Sequence, residues 1–235
     1  MGATTELQIA PHGEPDRTVS ITLAFENVGP APEPRPDKIA EIEPGIYYID
    51  ISRITDADFN KALPQLETAH GIVFDFRGYP GTLGPSFLSH LSDKSMTSAQ
   101  WHVPLVTRPD WEPMQFERRP GWDMPPLKPS ITAKKAFITD ARAISYAESC
   151  MGIVENYRLG EIVGAPTAGT NGNVNPLPLP GGYTIAWTGM KVLKHDGSRH
   201  HGIGIQPTIP VSRTRAAIAA GRDEMLDRAI QSVRQ

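Results

Sequence analysis

The sequence predicts an α/β fold, and three observations lead there. Residues 45–77 read as strand, helix, strand: GIYYIDIS (45–52), DADFNKALPQLETA (56–69) and GIVFDFR (71–77) form a βαβ unit. The alternation continues with a helix near 83–92, a strand near 101–107, the strand KAFIT (135–139) and a helix opening at Ser145. At 235 residues with 39% hydrophobic side chains, the chain is also large enough to bury such a sheet.

Before this unit, residues 4–10 and 17–26 are strand-like and are separated by the turn-rich PHGEPD. PAPEPRP (30–36) has the composition of an extended linker. It divides the chain into an N-terminal β segment with linker, residues 1–38, and a core domain, residues 39–235. The opening strands read as the tail of a preceding domain, and the chain as a piece of a longer protein. In the helix over 56–69, Asp56 is the expected cap and Pro64 an interruption. The stretch 109–129 holds six prolines together with Trp111 and Trp122, so it is no regular helix; it either overhangs a cleft or is a plain insertion. In the helix from Ser145, the residues Ala147, Cys150, Met151 and Val154 share one face, which places Cys150 in the core, and Gly160 is expected to end it. EIVGAP, GYTIAW and MKVLK are short β segments, and a final helix over 222–234 carries the stripe Leu226, Ala229, Ile230 and Val233.

Composition excludes several functions. A net charge of −3 with both signs interspersed lacks the basic footprint of nucleic-acid binding. No apolar run approaches the roughly 18–20 residues of a membrane span. Cys150 is the single cysteine, so there is no internal disulfide, and no Cys/His cluster has zinc-ligand spacing. Neither a metal nor another cofactor is expected.

Three segments carry candidate chemistry. DFRGYPG (75–81) ends a hydrophobic strand in a sharp glycine-rich turn, which either frees backbone N–H groups for an oxyanion or is only a turn, with Asp75 and Arg77 as a structural ion pair. ITDARAISYAESCMGIVENYRLG (138–160) puts Ser145 at a helix N-terminus, where developing negative charge is favoured. The same residues fit a capping box, with Ser145 capping the helix and Glu148 reaching back. GEIVGAPTAGTNGNV (160–174) is a strand running into a loop that either lines a pocket or simply turns, with Thr167 and Thr170 placed to shape it.

In this order and spacing the three segments resemble the tail-specific (carboxyl-terminal processing) proteases, a family that includes tricorn-type members. DFRGYPG is similar to the family's D-L-R-x-N-x-G-G, ARAISYAES to its T-x-S-A-x-E, EIVGAPTAGTNG to its G-x-x-T-x-G-x-G, and GIGIQP (202–207) to its G-V-x-P-D. The resemblance covers about residues 39–211. It implies a crotonase/ClpP-like fold of stacked β-β-α units with an N-terminal β extension, and a serine-type peptidase acting on polypeptide substrates. It also implies Ser145 as nucleophile, the N–H groups of Gly81 and Tyr146 as oxyanion hole, and an exported bacterial enzyme. Pro80 has no N–H to give.

The sequence departs from the pattern at the base. Serine/lysine members carry a lysine where this chain has Thr170, and no segment like the tricorn-type G-D-x-H-[ST] precedes residue 39. Either the base lies upstream of this segment, or a local histidine, His200 or His201, serves; His201 stands near where tricorn-type members place a glutamate. Glu148 is a possible orienting residue, although the cap explains it. The alternative function is a non-proteolytic member of the same fold that binds an apolar ligand or peptide.

Overall fold

The structure, a computed structural model, describes residues 2–23, 33–110 and 112–234. Trp111, the end of the strand-like run at 17–26 and the start of the proline-rich linker lie outside the described residues.

Two compact units are present. The smaller comprises residues 1–35 and 213–224. In it β1 (Thr4–Ile9) and β2 (Arg17–Thr22) pair antiparallel, Thr4 opposite Thr22, and both strands are largely exposed. A short helix, α3 (Arg215–Ala219), is capped by Thr214, whose Oγ1 accepts the Ala217 N–H at 3.1 Å.

The larger unit, residues 36–212 and 225–235, holds the sheet. Along the chain its elements are β3 (Ile39–Glu43), β4 (Ile46–Asp50), α1 (Asp56–Glu67), β5 (Gly71–Asp75) and a 3-10 turn (Pro85–His90). Next come β6 (Met96–Thr97), β7 (Gln100–Leu105), β8 (Gln115–Arg119), β9 (Asp123–Met124), β10 (Lys134–Thr139) and α2 (Tyr146–Tyr157). Then follow β11 (Glu161–Gly164), β12 (Val174–Pro178), β13 (Thr184–Thr188), β14 (Lys191–Leu193) and β15 (Ile209–Pro210), before α4 (Glu224–Arg234) closes the chain. The order in the main sheet is β15-β11-β10-β5-β4-β3. All neighbours are parallel except β3, which pairs antiparallel with β4.

Side chains of this sheet alternate between two apolar layers, as strand geometry requires. Ile72, Phe74, Phe137 and Ile162 face a core shared with Phe59, Leu63 and Leu66 of α1 and Cys150, Met151 and Val154 of α2. Phe74 and Phe137 stack across neighbouring strands at 5.1 Å. On the other face Tyr48, Val73, Ile138 and Val163 pack with Met225, Ala229 and Val233 of α4. Gly71 lets α4 approach: a Cβ there would lie 2.9 Å from the Val233 side chain.

Local details differ from the sequence expectation or add to it, beginning with the helix expected near 83–92, which is only the 3-10 turn Pro85–His90. Thr55, not Asp56, caps α1: its backbone is extended and its Oγ1 accepts the Asp58 N–H at 3.1 Å, while Asp56 accepts the Gly84 N–H at 3.1 Å. Pro64 does not interrupt α1; it sits on the exposed side, where water can satisfy the carbonyl its ring leaves unpaired, and Leu63 and Leu66 hold the helix to the core. Arg158 in left-handed conformation (φ 52°), not Gly160, ends α2, and Gly160 is needed because its Cα lies against Lys135, whose carbonyl oxygen would be 2.2 Å from a Cβ. The proline-rich 109–129 stretch contains strands: β8 pairs with β7, and β9 with β6.

Candidate active site

The parallel register brings the three motif segments to one end of the sheet. Ile138 of β10 stands opposite Asp75 of β5, and Thr139 opposite Gly164 of β11, so the loops after all three strands leave the carboxyl edge side by side. Backbone bonds join them: Phe76 N–H to Ile138 O at 2.8 Å, Ala165 N–H to Thr139 O at 3.0 Å, and Ala168 N–H to Ala143 O at 3.2 Å.

Beneath the first loop is the expected ion pair, fully enclosed. Arg77 Nη2 lies 2.6 Å from Asp75 Oδ2, and the Tyr48 hydroxyl donates to the same oxygen at 2.8 Å. The pair fixes the strand end from which Gly78–Gly81 departs. A Cβ at Gly81 would meet nothing within 4 Å, so its backbone borders open space. The loop is tied to the start of α2 by the Tyr146 hydroxyl, which donates to Leu83 O at 2.8 Å, and by the Tyr79 and Tyr146 rings at 6.3 Å. Burial pushes the Tyr146 phenol well above its ordinary range.

Ser145 precedes the first turn of α2 with φ 49° and ψ −109°, a conformation rare outside glycine. It is half-buried, in a cleft of about 390 Å³ whose walls are Tyr79, Trp101, Trp122 and Tyr146 and whose floor includes Ser149 and Asn171. The aromatic wall is continuous: Trp101 meets Trp122 edge-on at 5.6 Å and Trp122 meets Tyr146 edge-on at 5.4 Å. Ser149 and Asn171 bond one another, the Asn171 amide donating to Ser149 Oγ at 3.1 Å. Trp122 thus gives the 109–129 stretch a place at the cleft. Trp101 is a cleft residue outside every sequence motif, and Ser149 and Asn171, although inside two of the motif segments, were not singled out there.

Glu148 is buried and does more than close the helix. Its Oε2 accepts the Ser145 N–H at 3.2 Å, the arm expected of a capping box, and also the Thr170 N–H at 2.8 Å. Oε1 accepts the Thr167 hydroxyl at 2.7 Å and the Gly169 N–H at 2.6 Å, and lies 3.2 Å from Nε2 of the buried His200. Burial opposes ionisation of this carboxyl, but His200, the Thr167 hydroxyl and the Gly169 N–H outweigh it and hold the group below its ordinary range.

The two histidines part company here. His201 Nε2 accepts the Val192 N–H at 2.9 Å, and burial, followed by the neighbouring His200, lowers its basicity. Neither histidine is among the residues lining the Ser145 cleft. Thr170 is exposed and meets the site through its backbone N–H. Cys150 is enclosed in the core as expected, and burial pushes its thiol up to about 12. Among the described residues no group of three His, Cys, Asp or Glu side chains could hold a metal, and no helix is long and apolar enough to cross a membrane.

Known proteins resemble this chain in sequence or in fold. The carboxy-terminal processing protease CtpB of Bacillus subtilis is 28% identical over 177 residues, 72% of this chain and 34% of that protein, so the chain spans about a third of that curated relative's length. Among solved structures, mature CPAF complexed with lactacystin aligns over 98% of this chain and 67% of its own, with a TM-score of 0.71 at 14% identity. A peptidase-like protein from Parabacteroides merdae aligns over 82% of this chain and 62% of its own, with a TM-score of 0.66 at 16% identity. The tricorn protease aligns over 80% of this chain and 17% of its own, with a TM-score of 0.51 at 18% identity. At these identities the structural likeness speaks for the fold. The sequence itself matches peptidase family S41 over residues 45–211, a span that runs through every segment framing Ser145, and on that match the chain belongs to peptidase family S41.

Proposed function

We propose that this chain carries the nucleophile of a serine peptidase that hydrolyses polypeptides. The observation that carries the reading is Ser145: a non-glycine residue held at φ 49° and ψ −109° at the start of a helix, beside a cleft. Such a conformation costs about 1–3 kcal/mol and persists where the surrounding structure imposes it, most often at functional sites.

In this reading Ser145 Oγ attacks the scissile carbonyl carbon as its proton passes to a base. The Tyr146 N–H, at the first helical position where no intrahelical acceptor exists, and the Gly81 N–H, on open backbone, stabilise the oxyanion. Collapse breaks the C–N bond and the proton goes to the departing amine; water then hydrolyses the acyl-serine. In this reading the base is absent from this chain and is brought by another part of the protein; that no histidine or lysine lines the cleft among the described residues supports it.

The finer fold we propose is the crotonase/ClpP-like stack, supported by the succession β4–α1–β5 followed by β10–α2–β11 in one parallel sheet. The N-terminal β segment, residues 1–38, is proposed as separate from the catalytic core. The change of compact unit after residue 35 supports that boundary, although residues 213–224 join the first unit. An exported bacterial enzyme is the setting this reading implies. The test is covalent labelling by a fluorophosphonate probe of a protein that includes this chain: label on Ser145, lost in Ser145→Ala, is expected. Peptide cleavage that survives Ser145→Ala would overturn the assignment.

A further inference from the structure

We propose that Glu148 is the positioning residue of this site: a buried carboxylate that holds Ser145 in its positive-φ conformation and fixes the 167–170 loop beside it. The inference rests on Ser145 as nucleophile for its catalytic consequence, but its structural part stands alone.

A helix cap requires Glu148 to bind one N–H, that of Ser145. The carboxylate instead gathers donors from two separate segments, Ser145 and the loop bearing Thr167, Gly169 and Thr170, and faces the imidazole of a third, His200. An ionised carboxylate offers about four acceptor sites, and the four donors at 2.6–3.2 Å fill them. His200, 2% exposed, stands at 3.2 Å from Oε1 as the neighbouring imidazole.

This explains how Ser145 keeps its backbone angles. φ is rotation about the N–Cα bond, so it is fixed when both flanking peptide planes are fixed. Ahead of Cα, the Ser145 N–H is bound by Glu148; behind it, the Ser145 carbonyl accepts the Ser149 N–H at 2.9 Å. The next N–H along the chain is that of Tyr146, so the same clamp aims the proposed oxyanion donor. Thr167 passes the constraint on, because its Oγ1 also accepts the Ile205 N–H at 2.8 Å and its backbone N–H bonds Ile205 O at 3.1 Å. Gly169 makes the close approach possible: with φ +72°, its Cβ position is 2.9 Å from Gly202 N. Ser145, the 167–170 loop and the 200–205 turn are therefore one assembly around a single carboxylate.

Glu148→Gln keeps the size but replaces one acceptor oxygen with an NH2 group that faces N–H donors. Hydrogen exchange on the full chain should then show the Ser145, Gly169 and Thr170 amides exchanging at least about tenfold faster, with the β5 and β10 amides unchanged. Fluorophosphonate labelling of Ser145 should slow by about tenfold or more, and Glu148→Asp, which keeps the charge but not the reach, should recover part of both. Unchanged exchange at those three amides, or labelling at the wild-type rate, overturns the proposal. Ser145→Ala separates the two readings: it abolishes labelling while Gly169 and Thr170 stay protected. Faster exchange in Glu148→Gln of a protein whose wild type never labels supports the clamp and sinks the nucleophile. Should Glu148→Gln fail to fold, Thr167→Val removes one donor with Glu148 intact. Gly169 and Thr170 should then exchange faster than in Thr167→Ser, and equal rates in the two variants overturn the clamp.

Discussion

Ser145 shows how far a residue type and its backbone can diverge in legibility. That a serine opens α2 is written in the pattern Ser145-x-x-Glu148; that its φ is positive is not, because the pattern of a helix cap carries no sign of φ. The strain has a measurable consequence. Ser145→Gly removes the Cβ that makes φ 49° costly, whereas Ser145→Ala keeps it, and both remove the hydroxyl. Ser145→Gly is expected to be more stable than Ser145→Ala by about 1 kcal/mol, after the larger unfolded-state entropy of glycine offsets part of the relief. Chemical denaturation of the two variants checks this; equal or inverted stabilities would show that no strain is stored.

Glu148 gives the site its acid sensitivity. Its carboxyl is held below the ordinary value of 4.5 in the folded state, so the unfolded chain binds that proton more readily. The stability it contributes is complete above the unfolded value and is lost as pH falls through the lower, folded value. The stability gap between wild type and Glu148→Gln should therefore be widest near about pH 7 and shrink as urea melts are repeated towards about pH 3. A gap that grows on acidification would contradict the sign. Glu148 was legible as a cap and as a candidate orienting residue, but its partners were not, because Thr167, Gly169, Thr170 and His200 reach it from distant parts of the chain.

At the scale of elements, what could be read was apolar periodicity. Strands β4, β5 and β10 and helices α1 and α2 follow from it, since each must bury one or both faces. Strand β8 did not: QFERR is exposed at all five positions, so no buried face left a period in the sequence, and only its pairing with β7 makes it a strand. The end of α2 was misplaced for a related reason. Glycine was read as a helix stop, but Arg158 takes the left-handed turn, and Gly160 serves a close approach to Lys135 that one strand and one helix cannot reveal alone. The two residues should respond oppositely. Arg158→Gly is expected to stabilise by about 0.5–1 kcal/mol, because the left-handed position no longer carries a side-chain penalty. Gly160→Ala should destabilise by about 2 kcal/mol or more, since backbone must move to admit the methyl group. Thermal melts of the pair, with Tm rising in one and falling in the other, decide the assignment.

Across the larger unit, the site depends on a layer that does not touch it. The face of the sheet opposite α1 and α2 is covered by α4 through Met225, Ala229 and Val233; of the stripe read from the sequence, Ala229 and Val233 are buried there and Leu226 and Ile230 pack partly buried beside them, while Met225 was not in it. What no pattern showed is where that stripe lands. The Met225 sulfur would be 3.2 Å from a Cβ at Gly164, the last residue of β11, and Gly164 itself lies against Thr139 O, where a Cβ would be 2.3 Å away. From Gly164 the chain enters the loop whose Thr167, Gly169 and Thr170 bind Glu148. Met225 therefore supports the carboxyl end of β11 from below, and the loop inherits its position from that end. Met225→Ala should cost about 2–3 kcal/mol of global stability, the usual range for opening a core cavity at a methionine. Because the cavity lies under β11 rather than under β5, amide exchange should rise first over residues 163–170 and last over β5. A uniform rise throughout the sheet would show that α4 stabilises the fold without supporting the site.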